Sequence, residues 1–128
     1  MKVIYVVNIK EGVYNEPNVV DFHVVQVEEV LETEKEYITV DKIGFSDGIT
    51  YYNNNFPKNL INKEFSTGYV TDKLDKIVLR YQIERLHNAV KDIYEKRYST
   101  DNEIKEDCED YYKKSINLLE KIVPVNTN

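Results

Sequence analysis

The chain has no tryptophan, one methionine and one cysteine, Cys108, among its 128 residues. A single thiol cannot close an internal disulfide, so the fold is not a stapled mini-protein and must rest on a packed core. Four glycines and three prolines are too few for a low-complexity linker, and no Walker-type phosphate loop occurs. There is no HExxH motif and no paired-cysteine zinc spacing, and His23 and His87, the two histidines, stand in no recognised motif. No run approaches the roughly 20 apolar residues of a membrane-spanning helix. The opening "MKVIYVVNIKEG" carries a lysine and a short apolar run, but no small-residue cleavage site follows. It reads as a strand, and a cytoplasmic protein is the expectation.

Basic charge is also in short supply. The net charge is −6, which argues against a binder of nucleic-acid polymers. The deficit is uneven: residues 1–70 hold 6 basic and 11 acidic side chains, and residues 71–128 hold 11 and 12. An anionic ligand would find its attraction in the second part. Lysine, asparagine, isoleucine and tyrosine are abundant, a usage typical of A/T-rich genomes and no guide to chemistry.

What is present reads as one α+β domain over 1–128, with a β-sheet part at 1–70 and a helical hairpin at 71–128. "KVIYVVNI" (2–9) and "VVDFHVVQVEEVLE" (19–32) are rich in β-formers. In the second run Val20, Phe22 and Val24 fall on one face, with Asp21 and His23 on the other. "EYITVDKIGF" (36–45) follows a polar turn at 32–35, and "SDG" (46–48) reads as a hairpin turn before "ITYY". An antiparallel meander of about four strands is expected, with 53–70 as a loop carrying at most a short edge strand. Thr71 is the expected cap of the first helix, with Asp72 and Asp75 in its first turn. "TDNE" at 100–103 is a capping box for the second, which Pro124 stops. Ile104, Cys108, Tyr111, Tyr112, Ile116, Leu119, Ile122 and Val123 recur along it at helical spacing.

The first helix holds every arginine in the chain: Arg80, Arg85 and Arg97. At about 100° per residue, Leu79, Ile83, Leu86, Val90, Ile93 and Tyr94 form one apolar stripe. Leu74, Ile77, Val78 and Tyr81 begin a second, which turns polar at Arg85, Asn88 and Asp92. A surface helix needs only one such stripe, so a homo-oligomer covering the second is expected. Arg80, Glu84, His87 and Lys91 read as a solvated strip of ordinary ion pairs.

Tyr81, Arg85 and Asn88 project along one ridge and are the leading candidate ligand residues. Arginine offers a planar fork for phosphate, tyrosine a stacking surface, and asparagine a donor and acceptor for a base or ribose edge. The competing reading pairs Arg85 with a carboxylate across an interface. Arg97 and Tyr98, at the turn between the helices, are further candidates; helix-end charge complementarity is the alternative for them. The acids at 103, 106, 107, 109 and 110 suit a first helical turn and i,i+4 pairs. Cys108 lies on an apolar stripe and reads as core. No catalytic residue, metal ligand or cofactor site emerges, and a non-enzymatic protein is expected.

Small size, acidic balance, absence of catalytic motifs and a meander followed by two helices resemble the phage-encoded Thoeris anti-defence signal sponges. The resemblance spans the layout of the whole chain and rests most on "TDKLDKIVLRYQIERLHNAVKDIYEKRY" as the long first helix. It implies a protein that sequesters cyclic ADP-ribose isomers made by TIR-domain enzymes, with pockets near subunit interfaces. It also implies a dimer or hexamer, and in some members separate sites for cyclic oligonucleotides. An inhibitor of a host defence nuclease, similar to anti-CRISPR proteins, is the alternative. It would act through the acids of 28–36 and 101–110 on a basic protein. A phage structural or assembly protein using the apolar stripe as an interface is a third.

Overall fold

The computed structural model describes residues 2–13, 16–46, 50–63, 68–97 and 102–123. Five strands precede two helices: β1 (Lys2–Val13), β2 (Glu16–Glu32), β3 (Glu36–Ser46), β4 (Thr50–Pro57), β5 (Gly68–Thr71), α1 (Lys76–Arg97) and α2 (Asn102–Lys121). The strands lie in the order β4-β3-β2-β1-β5. The α+β expectation holds, with five strands in place of about four. The first two strands are longer than the β-former runs that signal them, and "SDG" lies partly outside the described residues.

The fifth strand is the one that composition conceals. "GYVT" is four residues long, yet it pairs antiparallel with β1, Tyr5 opposite Thr71 and Asn8 opposite Gly68. Gly68 is required there, because a Cβ at that position would lie 1.8 Å from the Val7 carbonyl oxygen.

The chain divides into two compact units. One gathers the start of β1, up to Asn8, with Val24–Leu74; the other gathers Ile9–His23 with Asp75–Val123. In the first, Ile4, Val6, Val30, Tyr37, Phe56 and Val70 form a buried cluster, with Val27, Ile43 and Ile61 packed against it. Val27 and Val30 both reach this core although an odd spacing puts strand residues on opposite faces. Glu29, at φ 56, resolves the conflict: a left-handed residue inside β2 resets the alternation.

Thr33 closes the turn from β2 to β3. Its backbone N–H and its hydroxyl both donate to the Glu36 carbonyl, at 2.9 and 3.1 Å. Further on, the register between β3 and β4 jumps from Ile38–Asn55 to Ile43–Asn53, so Thr39, Val40, Asp41 and Lys42 bulge opposite Asn54.

In the second unit Val20 and Phe22 are buried and His23 is exposed, as the alternation of that run predicts, whereas Val19, on the face of Asp21 and His23, is buried too and Asp21 is half-buried. Of the first apolar stripe of α1, Leu79, Ile83, Val90 and Tyr94 are buried, Leu86 is half-buried and Ile93 is 37% exposed.

Candidate functional site

The start of α1 departs from expectation. Thr71 ends β5, and its hydroxyl donates to the Lys73 carbonyl and accepts from the Lys73 N–H in a local turn. Asp75 is the cap instead: its Oδ1 accepts the N–H groups of Ile77 and Val78 at 2.9 and 3.2 Å. Both residues are good caps. Pairing with β1 occupies Thr71 and leaves Asp75 for the helix. The capping box at 100–103 and Pro124 fall largely outside the described residues.

From Asp75 onward α1 presents three faces. The apolar stripe is one. The second faces α2, and it is the strip that reads as solvated in the sequence. Lys76 Nζ donates to the carbonyls of Glu120 and Ile122, both at 3.1 Å, so a cation satisfies the C-terminal end of α2. Arg80 lies 3.2 Å from Glu84 and 3.8 Å from Glu120. Tyr112 donates its hydroxyl to Glu84 at 3.3 Å and stacks on His87 with ring centroids 4.1 Å apart. His87 is 6% exposed, which overturns its assignment to solvent.

Around His87, Nδ1 lies 3.8 Å from Cys108 Sγ and Nε2 lies 3.7 Å from Glu109 Oε1. Burial holds the imidazole below its ordinary pKa, against the opposing pull of the Glu109 carboxylate. Burial also pushes the Cys108 thiol up to about 11, so the sulfur is a protonated core group and not a thiolate nucleophile. Cys108 packs with Val90, Tyr94 and Ile104. Hydrophobic periodicity misses this seam because its members are mostly polar. The usable signal was His87 aligned with Arg80 and Glu84 on one helix, and Cys108 four residues from Tyr112 on the other.

The third face points outward and carries three of the five predicted ligand residues. Ile77 is 83% exposed, Val78 46% and Tyr81 64%. Arg85, Asn88, Ala89, Asp92 and Lys96 continue the exposed wedge. Among the described residues no ion pair or side-chain hydrogen bond engages Arg85 or Asn88. The structure therefore brings Tyr81, Arg85 and Asn88 together. Arg97 is the last residue of α1, two turns and more beyond them, and Tyr98 lies outside the described residues.

A separate polar cluster sits at one end of the strands in the first unit. The buried Tyr37 ring has Lys2 Nζ 5.8 Å and Lys58 Nζ 5.2 Å from its centroid. Its hydroxyl donates to Asp72 at 2.6 Å, and Lys58 pairs with Glu32 at 2.6 Å. Burial, reinforced by the hydrogen bond to Asp72, raises the tyrosine pKa well above its usual value. Its charges are matched within the chain, which suits a clamp on the strand ends.

Among the described residues no group of three or more His, Cys, Asp or Glu side chains converges for a metal ion. No helix among them is long and apolar enough to cross a membrane. No protein-family profile, curated protein or solved structure matches the chain.

Proposed function

We propose that this protein is a non-enzymatic phage anti-defence protein. In this reading it sequesters a cyclic ADP-ribose-type nucleotide signal in the host bacterial cytoplasm and so blocks TIR-dependent Thoeris immunity. The observation that carries the reading is the outward ridge of α1, where an exposed tyrosine, arginine and asparagine stand beside apolar side chains. Arg85 would take the diphosphate, Tyr81 would stack on the adenine, and Asn88 would hold a ribose or base edge. Arg97, at the end of α1, and Tyr98, outside the described residues, complete the proposed set. Exposure of Ile77 and Val78 favours an oligomer, since apolar side chains at this level of exposure gain by being covered.

Calorimetric titration with a cyclic ADP-ribose isomer tests the assignment. Arg85→Lys keeps the charge but loses the fork, and should weaken binding. Arg85→Ala should cost more, about 2–5 kcal/mol for a buried charge-assisted contact. Unchanged affinity in a well-folded Arg85→Ala protein removes Arg85 from the site.

The exposed acids Glu28, Glu29 and Glu34, with Glu29 held in a left-handed conformation, favour a second reading. There the protein inhibits a host defence nuclease by covering a basic surface. Charge reversal at Glu28 and Glu29 would then abolish protection while leaving nucleotide titrations blank.

A further inference from the structure

We propose that the seam between α1 and α2 binds one soft, singly charged metal ion, copper(I), between His87 Nδ1 and Cys108 Sγ. The site uses none of the side chains assigned to the nucleotide and stands independently of that reading. Its two donors already face each other across the helix pair at 3.8 Å. An ion about 2.0 Å from the nitrogen and about 2.3 Å from the sulfur, ordinary lengths for these donors, spans that gap at an angle of about 120°. Widening the pair by about 0.5 Å straightens the arrangement.

The surroundings are those of a ligand pair. A metal-bound histidine usually gives its other ring N–H to a carboxylate, which fixes the tautomer and orients the ring. His87 Nε2 lies 3.7 Å from Glu109 Oε1, so the far nitrogen has such a carboxylate at hand. Tyr112 stacks on the imidazole, centroids 4.1 Å apart, and holds its plane. On the sulfur side stands Tyr94, buried and packed with Cys108. Its hydroxyl has no hydrogen-bond partner among the described residues. A buried donor without a partner is costly. A neutral thiol is a weak acceptor for it, whereas a metal-bound thiolate is a charged one.

Charge and donor count select the ion. As the sulfur bonds to the metal, the thiol proton passes to solvent. One thiolate and one singly charged ion leave the buried seam neutral. A doubly charged ion would leave an uncompensated charge there, which burial makes expensive. Zinc also asks for four ligands, and among the described residues no group of three His, Cys, Asp or Glu side chains could hold one ion. Thiolate ligation is the soft kind that favours copper(I). Cys108 is fully buried and is the chain's one cysteine, so in the folded protein two copies cannot share the ion through their thiols.

The test is anaerobic titration of the full chain with copper(I) in competition with bicinchoninate, without nucleotide. One ion should bind per chain, and the melting temperature should rise as the ion ties α1 to α2. Cys108→Ala and His87→Gln should each abolish both effects. Glu109→Ala should weaken binding by about tenfold, through loss of its hold on the ring. X-ray absorption of the wild-type complex needs no variant and should show one sulfur and one imidazole nitrogen around the copper. Two sulfurs per copper overturn the proposal, as does binding that survives in His87→Gln. Copper(I) that lowers the melting temperature also overturns it, since the unfolded chain would then be the ligand. Zinc bound in preference to copper(I) does the same.

Discussion

Two faces of one helix, built from similar residues, meet opposite fates. Toward α2, Arg80 pairs with Glu84 and Glu120, and His87 is buried against Tyr112 and Cys108. On the outward side, Tyr81, Arg85 and Asn88 are as capable of polar and stacking contacts, yet all three are exposed. The difference lies in what the chain supplies opposite them. α2 brings Tyr112, Glu109 and Glu120 to the first face, and nothing among the described residues answers the second. A polar, aromatic face that its own fold does not use is where an external partner is worth seeking.

The sharpest way to break this comparison is to truncate the same side chain on two faces of α1. Ile83 is 0% exposed and Ile77 is 83% exposed. Ile83→Ala should cost about 2–5 kcal/mol, the usual range for a buried aliphatic truncation. Ile77→Ala should stay within about 0.5 kcal/mol at concentrations where the chain is monomeric. Comparable losses in chemical denaturation would mean that the outward face is covered in the folded chain.

A smaller effect is expected at the residue that starts both faces. Asp75→Ala removes the acceptor for two helical N–H groups and should cost about 1 kcal/mol. The same change at Thr71 should not unwind the first turn of α1, and helicity measured by circular dichroism separates the two. Equal loss of helicity in both would return the cap to Thr71.

The subtlest difference between the faces is in pH dependence. Burial favours the neutral form of His87 and pushes its pKa below the ordinary value of 6.5, against the opposing pull of Glu109. A base with a depressed folded pKa contributes stability that is fully present above its unfolded value, and that is lost as pH falls below it. Unfolding free energy should therefore decline as pH falls from about 7 toward 5, with other titrating groups superimposed. His87→Gln should flatten the decline, whereas Asn88→Ala should leave it intact. An unaltered slope in His87→Gln would place the imidazole in solvent.

Legibility in the sequence followed the physics of each signal. Alternation around Val20 and Phe22 marks a half-buried strand, and β-former runs announce the sheet. β5 answers to the short edge strand allowed within 53–70, but four residues beginning with glycine carry almost no periodicity, and its place is set by pairing with distant Tyr5–Asn8. The cap moved from Thr71 to Asp75 for the same reason, since strand pairing decides which of two suitable residues is free. The ridge of Tyr81, Arg85 and Asn88 was legible because helical spacing alone groups those residues. The seam was not, because an interface of lysine, glutamate, histidine and tyrosine has no hydrophobic signature. Only the approach of α2 reveals it.

The central claim is that the protein holds a small nucleotide without consuming it. Native mass spectrometry of the purified protein, after exposure to lysate from cells with active TIR enzymes, addresses that claim directly. The account predicts a retained mass matching a cyclic ADP-ribose isomer, released chemically intact on heat denaturation and absent from Arg85→Ala. A protein that emerges with no added mass, or that steadily converts the nucleotide to another product, would contradict it.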